Sequence, residues 1–152
     1  MTASWWPAAV AAFVLAVTAY PAAVIDGAVR RVPEPLVLTC YGAIGAALTV
    51  GAAVTGMWAS LWRGAASGVI LWVGFFLYAL FGSMGFADVQ LMGLVGLVLG
   101  WVSWPAALMS GPIVLAVGGL WAVVLLAAGR RGQFAFAPAI FVGALTTLAL
   151  YT

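Results

Sequence analysis

An all-α integral membrane protein, a bundle of about six transmembrane helices, is the fold this sequence predicts, and three observations predict it. Hydrophobic residues make up 67% of the 152 positions and charged residues only 5%, against about a quarter charged in an ordinary soluble domain. The uncharged runs have lengths suited to membrane spans. The arginines fall between those runs in a pattern that six helices explain. A chain of this composition has too little polar surface to cover itself in water, so a lipid bilayer is its solvent.

The N-terminal run, residues 1–25, carries no basic residue ahead of its apolar stretch, unlike a secretory signal with its positive n-region and shorter core. It reads as a retained first transmembrane helix. With charges as fences, the next uncharged runs are 35–62, 64–87, 89–129 and 132–152. A helix needs roughly 20 apolar residues to cross a bilayer, so each of these takes one helix except 89–129, which takes two. The break is expected near "WVSWPAALMSGP", where Pro105 and the Gly111-Pro112 pair interrupt helix continuity. Trp101 and Trp104 suit the headgroup level there. Together the runs form a single transmembrane domain over residues 1–152.

Six helices put Arg30-Arg31 and Arg130-Arg131 on one side and Arg63 opposite. Positive residues concentrate in cytoplasmic loops, so the two pairs are expected in the cytoplasm and both termini outside. That makes the chain a multi-pass protein of the cell membrane, inner or plasma.

Composition removes several kinds of function. The net charge of +2 is too small and scattered for nucleic acid. With no histidine and one cysteine, Cys40, no soft-metal site or disulfide framework is expected. Histidine-dependent triads are impossible. No metal and no cofactor are expected.

The three acidic residues, Asp26, Glu34 and Asp88, are then individually informative. Asp26 ends the first predicted helix, and Asp88 lies between the third and fourth, so both arrive at the cytoplasmic side and at one depth. An aspartate in the bilayer costs about 2.5–3.5 kcal/mol at the helix centre and less toward the interface. Each alone is explicable as an interfacial charge, and Asp88 also as a helix cap. As a pair they fit amide hydrolysis. Two close carboxylates cannot both ionise comfortably, so they share a proton. The charged member takes a proton from water while the protonated one polarises the scissile carbonyl. Gly82 and Gly85 lie just before Asp88 and permit close backbone approach, although glycines also serve helix packing. A site of this kind requires the helix to be broken between Phe81 and Val89.

Three stretches together resemble the type IV prepilin peptidase family, the GxGD-type membrane aspartyl proteases. "AVIDGAVRRVPEPLVL" is similar to the pattern of aspartate, basic stretch and Val-Pro before the second helix. "MGFADVQLMGLVGLVLGW" is similar to the GxGD aspartate and the glycine-spaced helix after it. "FAFAPAIFVGAL" resembles the lead-in to the last helix. The resemblance covers roughly residues 10 to 150 and implies that Asp26 and Asp88 are the catalytic pair. It also implies a prepilin-like membrane protein substrate, with a basic leader cut at the cytoplasmic membrane surface. Glu34 is the candidate to meet that leader, while Arg30 and Arg31 anchor the helix end. The chain looks like the short, protease-only form, without the four-cysteine segment, and no S-adenosylmethionine site is expected.

The chain departs from the pattern in three places. Its motif reads Gly85-Phe86-Ala87-Asp88, with alanine for the second glycine; Gln90 replaces a lysine; Glu34 stands where Asn or Asp is usual. An alanine forced to positive φ costs about 1 kcal/mol or more and would misplace Asp88, whereas an alanine in an ordinary backbone is tolerated. Two other function classes remain open on the residues alone. One is a catalytically inactive relative serving as a membrane subunit or scaffold, with partners in an envelope complex. The other is a small transporter, against which both acids lie at one face and no repeated half is visible.

Overall fold

The computed structural model describes residues 34–82, 84–130 and 136–151, together with Ala9, Phe13 and Ala16. Five helices follow one another: α1 (Glu34–Thr55), α2 (Trp58–Phe81), α3 (Phe86–Val102), α4 (Trp104–Ala127) and α5 (Ala137–Tyr151). Ala9, Phe13 and Ala16 are helical too, but the rest of the first predicted span lies outside the described residues. In hydrocarbon every backbone polar group needs an internal partner, which selects helices. Side-chain hydroxyls obey the same constraint. Thr39, Thr49, Thr55, Thr146 and Thr147 each donate to the carbonyl four residues back, at 2.7–2.8 Å.

Helices α1, α2 and α4 are long and apolar enough to cross a membrane. The other two are shorter. At 17 residues, α3 rises only about 25 Å. It lies at the centre, touching each of the other four described helices, and eleven of its residues are buried. A helix apolar on every side belongs in such a place.

Glycines let α2 and α3 approach backbone to backbone. A Cβ on Gly64 would lie 2.7 Å from the Leu97 carbonyl oxygen. One on Gly96 would lie 2.7 Å from the Ser67 carbonyl oxygen and 2.9 Å from the Gly68 Cα. One on Gly100 would meet Ser67 at 2.6 Å. Apolar burial does little to hold helices together in lipid, so close packing of small residues takes over.

Arg63 corrects the expectation built on charge fences. It lies inside α2, not in a loop, because α1 and α2 turn earlier, at Gly56, whose φ of 71° needs a glycine. Its guanidinium reaches the last turn of α3. Nε donates to the Gly100 carbonyl at 2.6 Å, and Nη2 to the carbonyls of Trp101 at 2.6 Å and Val102 at 3.2 Å. These carbonyls end a helix without intrahelical partners, and a cation suits that end of the dipole.

The run 89–129 divides into two helices as predicted, and the break falls on one residue. Ser103 is extended, and its Oγ accepts from the Ala106 N–H at 3.2 Å to start α4. Pro105 sits in the first turn, where no N–H is missed. The Gly111-Pro112 pair does not interrupt α4, which continues through it. Trp101, expected at the headgroup level, is instead buried in the core. α4 ends in a Schellman motif: the N–H groups of Arg130 and Gly129 donate to Leu125 and Leu126, with Gly129 at φ 77°.

The α2–α3 seam makes a direct prediction. Gly96→Ala forces its methyl against backbone, and is expected to lower stability in mixed micelles by about 1–3 kcal/mol. Gly74→Ala, on the same pair of helices but with open space around it, should leave the unfolding midpoint unchanged.

Candidate active site

The chain turns back between α2 and α3 through Gly82 and Gly85, both extended, at φ −123° and ψ −173° and at φ −70° and ψ 149°. The expected helix break is therefore present, but shorter than 81–89, because α3 begins at Phe86 and includes Asp88. Seam register fixes how deep this point lies. Gly96 packs on Gly68, so eight residues further along the antiparallel pair Asp88 stands level with Phe76. Phe81 ends α2 five residues beyond, which places Asp88 about 8 Å inside the end of α2.

Asp88 occupies the third position of α3, half-buried. Its N–H donates to the Gly85 carbonyl at 3.1 Å, and its carboxylate folds back toward the helix start. The Oδ2 atom lies 3.4 Å from where a Cβ on Gly85 would be. Any larger side chain there would cover one side of the carboxylate. The N–H groups of the first turn and the positive end of the helix dipole favour a negative charge at this spot.

Ala87 is the second residue of this helix. Its backbone is right-handed helical, and the positive-φ glycines among the described residues are Gly56 and Gly129. The conformational penalty feared for an alanine in this motif does not arise. Alanine is the residue most compatible with a helical backbone.

Aromatic rings brace the same turn. Trp72 and Phe76 of α2 stack at 5.1 Å, and the Phe86 ring meets them edge-on at 6.3 and 6.5 Å. From the other side, the Tyr41 hydroxyl of α1 donates to the Gln90 carbonyl at 2.7 Å. It occupies the space that a side chain on Gly93 would take, beside Trp72. Sequence reading found none of these four aromatic residues. Aromatics are 13% of the chain, so no single ring stands out, and Gly93 is one of three glycines in α3 and carries no distinct signal.

Glu34 opens α1 and is exposed. Because α1 and α3 run parallel and meet at Tyr41 and Gln90, Glu34 lies within a turn of the level of Gly85 and about a turn and a half from that of Asp88. Asp26, the other predicted catalytic residue, falls outside the described residues, as do Arg30 and Arg31. Asp88, Gly85, Ala87 and Glu34 are thus brought to one end of the bundle.

Comparison with protein families matches residues 9–123 to the type IV leader peptidase family. The chain belongs to this family. That span includes both aspartates and the whole seam between α2 and α3. Searches of curated proteins and of solved structures find no match. Membership makes the chain a leader peptidase by family, of prepilin-type kinship, and its long apolar helices are those of a membrane protein.

The helical backbone at Ala87 yields a prediction. Ala87→Gly, which restores the motif's glycine, should not raise proteolytic activity. It should lower stability by roughly 0.5–1 kcal/mol, the ordinary cost of glycine in a helix. Leader cleavage and thermal unfolding measured on the same preparation check both parts.

Proposed function

We propose that this protein is an aspartyl endopeptidase of the cell membrane that removes the leader from prepilin-like membrane proteins, with Asp26 and Asp88 as its catalytic pair. The observation that carries this reading is the position of Asp88. A carboxylate stands at the head of the central helix, about 8 Å inside the end of α2, folded back beside Gly85. Membership of the leader peptidase family supports the reading further.

The chemistry needs water and two carboxylates. The ionised aspartate takes a proton from water as the oxygen attacks the scissile carbonyl, and the protonated one gives its proton to the carbonyl oxygen. Collapse of the tetrahedral intermediate breaks the C–N bond, and the amine leaves with a proton returned from the pair. No cofactor or metal takes part.

Six helices, with the Arg30-Arg31 and Arg130-Arg131 pairs in the cytoplasm, put this end of the bundle at the cytoplasmic face. A substrate would lie with its apolar helix in the bilayer and its basic leader near Glu34. Gly85 and Ala87 shape the turn that presents Asp88.

Co-expression with prepilin-like substrates tests the proposal. Wild type should shorten a substrate by its leader, and Asp26→Asn and Asp88→Asn should each reduce cleavage by at least about a hundredfold. Cleavage that survives both substitutions would remove the aspartyl mechanism, whereas no cleavage by the wild type or any variant would favour the non-catalytic subunit. Glu34→Gln should raise KM for substrates with basic leaders while leaving kcat within about twofold, as expected for a charge at the edge of a binding surface.

A further inference from the structure

The geometry points to Tyr41 as a positioning residue that sets the register of α1 against the start of α3, where Asp88 stands, an inference that rests on the aspartyl protease reading above. Asp88 lies two residues before Gln90 on α3. Asp26 lies eight residues before the start of α1. The Tyr41–Gln90 contact therefore bears on how the first turn of α3, with Asp88, is held against α1.

Most of the α1 contact cannot fix that register. Its buried stripe is Val37, Cys40, Ile44, Leu48 and Ala52. Aliphatic side chains of similar size pack acceptably after a small slide, and in lipid they have little preference for protein over acyl chains. Among the described residues, one hydrogen bond joins α1 to another helix. The Tyr41 hydroxyl gives it to the Gln90 carbonyl at 2.7 Å.

The surroundings make that bond selective for one position. Gly93 leaves a pit in the surface of α3, one turn from Gln90. The tyrosine hydroxyl fills that pit, with Trp72 of α2 as its wall. Trp72 in turn holds the Phe86 ring edge-on, and Phe86 opens the turn that carries Asp88. Three helices are thereby locked at one point, next to the candidate active site. A one-residue slip of α1 would move its start by about 1.5 Å, and misplacement of about 1 Å is enough to cost a reaction up to a hundredfold.

Tyr41→Phe separates positioning from structural support. It keeps the ring and its packing and removes only the O–H. The Gln90 carbonyl retains its helical partner, so folding should be little affected. Assays should use purified protein in lipid bicelles, with a prepilin-like substrate that wild type cleaves and Asp88→Asn does not. The expected result is a kcat lowered about tenfold, with KM within about twofold and an unfolding midpoint close to wild type. Gly93→Ala, whose methyl competes for the hydroxyl's space, should lower kcat similarly. The two changes combined should cost little more than either alone, because both break the same contact.

A Tyr41→Phe enzyme with wild-type kcat would overturn the inference. So would a fall in kcat matched by a fall in unfolding midpoint, which would make Tyr41 merely structural. Folded wild type that cleaves nothing, like Asp88→Asn, would instead bring down the protease reading and this inference with it.

Discussion

Backbone contact between α2 and α3 is the constraint on which the rest of this structure depends. In water, a helix as apolar as α3 would be driven into a core by the hydrophobic effect. In a bilayer that drive is nearly absent, because lipid tails solvate leucine and valine as well as protein does. What remains is dispersion between closely fitted surfaces. Gly64, Gly68, Gly96 and Gly100 supply it by removing the side chains that would hold the helices apart. Once the two are seated, the register of α3 is set, and so is the depth of Asp88.

The two ends of α3 are treated in opposite ways. At its C-terminus, orphan carbonyls are covered by the guanidinium of Arg63, which neutralises the negative end of the dipole inside the bundle. At its N-terminus a carboxylate stands instead, beside a glycine and a short extended turn. One end is closed by a cap from within the fold, while the other carries a half-buried carboxylate in its first turn. Tyr41, Trp72 and Phe86 brace that second end. This asymmetry makes one end a structural joint and gives the other the carboxylate on which the proposed chemistry rests.

Much of this was legible in the residues, for reasons that can be named. Pro105 and the length of the run 89–129 announced two helices, since proline favours a helix start and no single helix is that long. Gly82 and Gly85 marked the break before Asp88 because glycine is a poor helix former, although their extended backbone is one that any residue adopts. Arg63 misled, because a charge was read as a loop when a neighbouring helix end can neutralise it. Trp101 misled similarly: a preference for the membrane surface yielded to tight packing beneath α2. Ala87 was ambiguous because a residue name carries no φ angle, and only the helix beginning at Phe86 resolved it. Tyr41 and its pit at Gly93 were invisible, since their partnership joins positions far apart in sequence that share no pattern.

The proposed catalytic pair requires Asp26 and Asp88 to come together. The most direct measurement is cross-linking in native membranes, with cysteines at positions 26 and 88 and Cys40 replaced by alanine. Shared-proton chemistry requires the side chains to be near enough for a disulfide or a very short bis-thiol reagent to join them. The account predicts near-complete cross-linking of this pair and none for cysteines at 26 and 102, at the far end of α3. Failure of the 26–88 pair to cross-link in folded protein would contradict it.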